Sequence, residues 1–155
     1  MARGNGGTEW IETDGHRRLV DKARALGTFC VEHGFEGISV LAGMKVGYLT
    51  TIYDGIGPNW SFSVVAEIID HISLDFEPAG FLLDVQYRTL DDRSEEAFHR
   101  CNLQFYHNCV KCAKAKHGWW SLARYRLIRS AKVLYEACEE HGLESWNRRG
   151  IFPRQ

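Results

Sequence analysis

Between Glu95 and Cys112 the chain reads EEAFHRCNLQFYHNCVKC, and this run limits the possible folds more than any other stretch. Cys101, Phe105, Cys109 and Cys112 are spaced by four, four and three residues, so on a helix they fall on one face. A face of that kind needs a partner. The run DFEPAGFLLDVQY, Asp75 to Tyr87, supplies one. Pro78 suits a first helical turn, where a missing N–H costs nothing, and Asp75 or Glu77 places negative charge at the positive end of the helix dipole. Phe81, Leu82 and Val85 then recur at helical spacing, with Leu83 and Tyr87 on a neighbouring strip. Two antiparallel helices facing each other through these stripes are expected to form the centre of a mainly α domain.

The flanking segments are read in the same way. Leu19, Ala23, Leu26 and Cys30 form the stripe of a helix over about residues 15–33, ended by Gly34. Residues 38–41 and 46–53 are short, β-branched or aromatic, and broken by Gly43 and Gly47, which predicts a small β-hairpin. Val65, Ile68, Ile69 and Ile72 predict a helix over 62–72. Asp92, with Glu95 three residues later, resembles a capping box that starts the long helix, expected to run to His117 and stop at Gly118. A last helix runs from about Ser121 to Gly142, with Leu122, Tyr125, Ile128, Ala131, Tyr135 and Cys138 expected to face inward. Residues 1–12 form a Gly-rich polar tail, 13–146 a single helical domain, and 147–155 a basic, extended tail.

A chain of 155 residues suits one domain with its own core. No apolar run reaches membrane-spanning length, and MARGNGGTEW lacks the apolar core of a signal peptide.

The pattern DF-x-PA-xxxx-D-xx-Y, followed by C-N-xx-F, resembles the paired central helices of the phospholipase A2-like superfamily. DGIGP, Asp54 to Pro58, is similar to a worn form of its Gly-rich calcium loop, and AKVLYEACEEHGLESW is similar to the end of small phage-encoded proteins with this helical plan. The resemblance implies a His-Asp pair before Tyr87 and a Cys-Asp pair before Phe105. This chain instead has Leu83 at the general base and Asn102 at the residue that orients it. Leucine cannot take a proton from water at any pH. Asp84, at the position of the calcium carboxylate, and Tyr87 are retained, as are Gly55 and Gly57, but Ile56 stands where relatives carry Cys. Calcium bound by Asp84 with loop oxygens from Asp54 to Gly57 would be a sparse set, because the ion takes six to eight oxygens. The resemblance also implies dense disulfides. Five cysteines, an odd number, point instead to a reduced setting, in a host cytoplasm or a virion.

The implied role is therefore a non-catalytic one, a phage structural or protein-interaction component. The alternatives are a calcium-dependent phospholipid hydrolase, which would need an unconventional base such as His71, and a peripheral lipid-binding module. Asp84 also has a plainer reading, an exposed ion pair with Arg88 one turn on.

Charge is uneven along the chain. Asp54 to Glu96 carries ten acids against Arg88 and Arg93. Ala97 to Tyr135 has no acid and eight bases, namely Arg100, Lys111, Lys114, Lys116, Arg124, Arg126, Arg129 and Lys132. In one account the two halves pack together and neutralise each other. In the other, the basic hairpin with Trp119 and Trp120 at its tip meets an anionic surface. A protein partner comes first and an anionic membrane second; nucleic acid is less favoured because no reading motif is present. His99, His107 and His117 point away from the cysteine strip, so buried thiols are favoured over a zinc site, although Cys109-xx-Cys112 has ligand spacing.

Overall fold

The computed structural model describes residues 14–52 and 75–149. Their elements are α1 (Asp14–Glu32), a 3-10 turn (Ile38–Leu41), α2 (Val46–Ile52), α3 (Glu77–Thr89), α4 (Glu95–Lys116), α5 (Leu122–His141) and α6 (Leu143–Arg149). The described residues are mainly helical and contain no strand. The helix expected over 62–72, the loop Asp54–Pro58 and His71 lie outside them.

Helix α4 sits at the centre because it is buried along two sides. Cys101, Phe105, Cys109 and Cys112 are all buried, as are Phe81, Leu82, Leu83, Val85 and Tyr87 on α3. Contacts run from Tyr87–Asn102 to Lys116–Asp75, so positions that rise along α3 fall along α4 and the two helices are antiparallel. Helix α5 returns along α4 in the same sense, with Glu139 beside His99 and Tyr135 beside Tyr106. Helix α1 docks on α3 through buried Ala23, Leu26 and Cys30, fixed by Lys22–Glu77 at 2.5 Å.

The start of α4 is two residues later than the sequence suggested. Ser94 is the cap, its Oγ accepting from Ala97 N at 3.1 Å, while Asp92 Oδ1 accepts from Ser94 N at 3.0 Å. A serine beside the first turn outcompetes an aspartate one step further out, and Asp92 braces it from behind.

The expected hairpin is helical. Gly37 and Gly43, both at positive φ, bracket one 3-10 turn rather than a strand. The threonines that suggested β structure satisfy their hydroxyls within α2, Thr50 and Thr51 each bonding the carbonyl three residues back at 2.7 Å. A four-residue strand with no sheet to join has little to gain by extending.

The C-terminal end departs from the expected tail. Gly142 N closes α5 on Cys138 O at 2.8 Å, Gly142 O accepts from Trp146 N, and the chain turns into α6. Residues 147–149, expected to be extended, are helical. Trp146 is fully buried against Tyr87 and Phe98, and its outer ring face is covered by the Arg93 guanidinium at 3.7 Å. Arg93 also donates to the carbonyls of Tyr87 and Trp146, clamping α6 to the α3–α4 turn.

Gly37 has φ near 78°, and a Cβ there would collide with the side-chain amides of Gln86 and Gln104, which bond each other at 2.7 Å across α3 and α4. Gly37→Ala is expected to lower stability by about 1–3 kcal/mol in urea denaturation, whereas Gly47→Ala, with open space around it, is expected to leave it unchanged or raise it slightly.

Candidate functional site

The sequence-derived site residues on α3 and α4 do come together. Leu83, Asp84, Tyr87 and Asn102 are all buried. One turn beyond Leu83, Tyr87 Oη donates to Asn102 Oδ1 at 2.6 Å. Asn102 Nδ2 then donates to Glu139 Oε1 on α5 at 2.7 Å. The other Glu139 oxygen meets His99 Nδ1 at 2.5 Å, and His99 Nε2 lies 3.6 Å from Glu95. A polar chain thus runs from the α3–α4 interface to the surface: Tyr87, Asn102, Glu139, His99, Glu95.

This arrangement disfavours proton abstraction at either end. At the inner end, Leu83 offers no acceptor, and the Asn102 amide is bonded on both its oxygen and its nitrogen. At the outer end, the hydrogen bond that Glu139 accepts from His99, helped by Glu95, raises the His99 pKa above its ordinary value. A carboxylate at each nitrogen favours the protonated imidazole over the neutral form that a base requires.

Asp84 is buried, not on an exposed face, so its reading as a surface ion pair with Arg88 is corrected. Its helix turns it inward with Val85. Arg88 instead reaches Thr51 O at 3.4 Å. The loop residues paired with Asp84 for calcium, Asp54, Gly55 and Gly57, lie outside the described residues.

The basic residues divide into two sets. Lys111 and Lys116 turn back onto the protein, Lys111 donating to Gly34 O at 2.6 Å and Lys116 pairing with Asp75 at 3.0 Å. Lys114, Arg124, Arg126 and Arg129 make no ion pair among the described residues. Trp119 and Trp120 stack edge-to-face on each other and stay 72% and 74% exposed. Leu122 and Tyr125, expected inside, are exposed as well. The expected positions are spaced mostly by three, so they drift round a helix of about 3.6 residues per turn: a side that buries Ala131, Leu134 and Cys138, with Leu127 packed beside them, leaves Leu122 and Tyr125 on the opposite, outer side.

The five cysteines are free and buried. No group of three or more His, Cys, Asp or Glu side chains among the described residues is placed to hold a metal ion. Burial pushes the Cys30 and Cys112 thiols up to about 12 and Cys101 to about 11; Cys109 and Cys138 are raised well above the ordinary value by the same cause.

Sequence reasoning missed Glu139 as the partner of Asn102, and His99 as the residue that meets the other Glu139 oxygen. The available signal was chemical: an asparagine set between Cys101 and Phe105 on a buried stripe needs partners for both ends of its amide. Spacing could not say which helix supplies them.

No protein-family model matches the chain, and neither does any curated protein or solved structure. What the coordinates define by themselves is a helical protein whose central antiparallel pair is sealed by aliphatic, aromatic and amide groups.

Two measurements follow from this geometry. The native protein is expected to leave all five thiols unreacted with a disulfide reagent at about pH 8, and to expose all five on unfolding, since a buried neutral thiol is a weak nucleophile. His99 has a raised folded pKa, so its stabilising contribution is complete below about pH 6.5 and lost as pH rises through the folded value. The stability difference between wild type and His99→Gln is therefore expected to be larger at about pH 6 than at about pH 9 in matched urea titrations.

Proposed function

We propose that this chain is a non-catalytic phospholipase A2-like protein, a structural or protein-interaction component of a phage particle or of infection. One observation carries the reading. At the two positions where the resembled family activates water, this chain places Leu83, packed in the core, and Asn102, bonded to Tyr87 and Glu139. A water molecule there would have no base to take its proton, and admitting one would open a buried part of the helix pair.

The thiols favour a reducing setting, inside a host or a particle, because all five are buried and unpaired. Asp84 and Tyr87 then have structural parts to play. Tyr87 bridges α3 to α4 and stacks edge-on against Trp146, and Asp84 is enclosed with the core of α3. Function of this kind belongs to surfaces, since the interior is fully used in holding three helices together.

The test is phospholipid turnover. Purified protein with calcium is expected to release no more fatty acid from mixed phospholipid vesicles than protein-free vesicles do. Release above that baseline that disappears in Asp84→Ala would overturn the reading and restore a hydrolase. Recovery of the protein from purified phage particles, in fixed proportion to a known particle component, is the expected result for the structural role.

A further inference from the structure

The outer face of α5 and the corner that precedes it form an aromatic and cationic surface with no assigned use. Trp119 and Trp120 occupy the corner, and Leu122 and Tyr125 follow at 63% and 57% exposure. Arg126, Arg129, Lys132 and Val133 continue along the same side of the helix and are also exposed. The opposite side carries Ala131, Leu134 and Cys138 into the core against α4. The exposed strip therefore points away from the body of the protein, and away from the Leu83–Asn102 interface.

Two features of this strip select its occupant. The first is charge. Ala97 to Tyr135 contains no acid, and Arg124, Arg126 and Arg129 have no carboxylate partner among the described residues. The second is the kind of apolar group between the cations. Indole and phenol rings have an apolar body and a polar tip, which suits the boundary between headgroups and acyl chains. Leucine and valine beside them add apolar area that a phosphate backbone of nucleic acid would leave in water. Cations interleaved with exposed Trp, Tyr, Leu and Val along one helix side match a helix lying in an anionic bilayer surface.

We infer that the Trp119–Trp120 corner and the outer face of α5, through Arg126 and Arg129, dock onto an anionic phospholipid bilayer. The corner enters the interfacial layer and the arginines bind lipid phosphates. Lys132, which pairs with Glu136 at 3.9 Å, and the exposed Glu140 further along α5 mark where contact stops, because like charge repels the carboxylates from the same surface.

The inference does not rest on the loss of the catalytic pair, and the test keeps the two apart. Vesicles of diether phosphatidylcholine, with or without diether phosphatidylglycerol, carry no ester to hydrolyse, and a chelator removes calcium. The protein is expected to co-sediment with the anionic vesicles at low salt, about tenfold or more above the neutral ones, and to be released at high salt. Arg126→Glu with Arg129→Glu, and separately Trp119→Ala with Trp120→Ala, are each expected to reduce binding about tenfold at an unchanged thermal midpoint. On the wild-type protein, hydrogen exchange with vesicles present is expected to slow in the span 117–133. Equal binding to neutral vesicles, no binding to either, full binding by both double variants, or protection confined to other segments would each overturn the inference. Displacement from the vesicles by short duplex DNA, with the tryptophan variant binding like wild type, would also overturn it, in favour of a phosphate-backbone partner.

Discussion

Asn102 has no access to water, and an amide in that position must find protein partners for both its oxygen and its nitrogen. That requirement ties three helices together. Tyr87 from α3 fills one side and Glu139 from α5 fills the other, so the register of both helices against α4 is fixed at one level. Moving either neighbour by one turn would leave a buried amide or hydroxyl unsatisfied, at a cost of about 1–3 kcal/mol each. The apolar stripes bring the helices together, but they tolerate sliding. The polar chain through Asn102 does not.

The same logic appears at the other end of α4. Asn108 accepts from Glu36 N at 2.8 Å and donates to Glu36 O at 3.0 Å, so one side-chain amide substitutes for a strand partner to a turn. His107 reaches the Glu36 carboxylate and Lys111 the carbonyl of Gly34. The turn after α1 is thereby held by three α4 residues, and Gly37 supplies the left-handed backbone that lets the chain pass so close to Gln86 and Gln104.

Much of this architecture was legible in the sequence. Helices at 14–32, 77–89, 95–116 and 122–141 fall close to the limits expected from periodicity, Pro78, Gly34, Gly118 and Gly142, because each of those signals acts locally. The hairpin was misread for the opposite reason. Val46 to Ile52 is β-branched and aromatic, yet propensity in a seven-residue segment is weaker than the cover provided by α1 and α3. The inward stripe of α5 was half right: Ala131 and Cys138 are buried, but stepping back from them by threes drifts off the turn of about 3.6 residues and carries Leu122 and Tyr125 to the opposite, exposed side. The candidate site was legible on α3 and α4, where Leu83, Tyr87 and Asn102 share facing stripes. Glu139, and with it the link to His99, was not, since its arrival between His99 and Asn102 depends on how α5 packs back onto α4.

The clamp between Asn108 and Glu36 joins positions 72 apart in the chain, and this has a bearing on synthesis. Helices α3, α4 and α5 can form their contacts with near neighbours in sequence as they leave the ribosome. Helix α1 emerges before any of them, with Leu26, Cys30 and Phe35 still uncovered and no surface yet made to receive them. It can begin to dock once α3 is made, but the turn behind it is not clamped until Asn108 and Lys111 have been translated, so among the described helices α1 is the one whose seat is completed longest after it emerges.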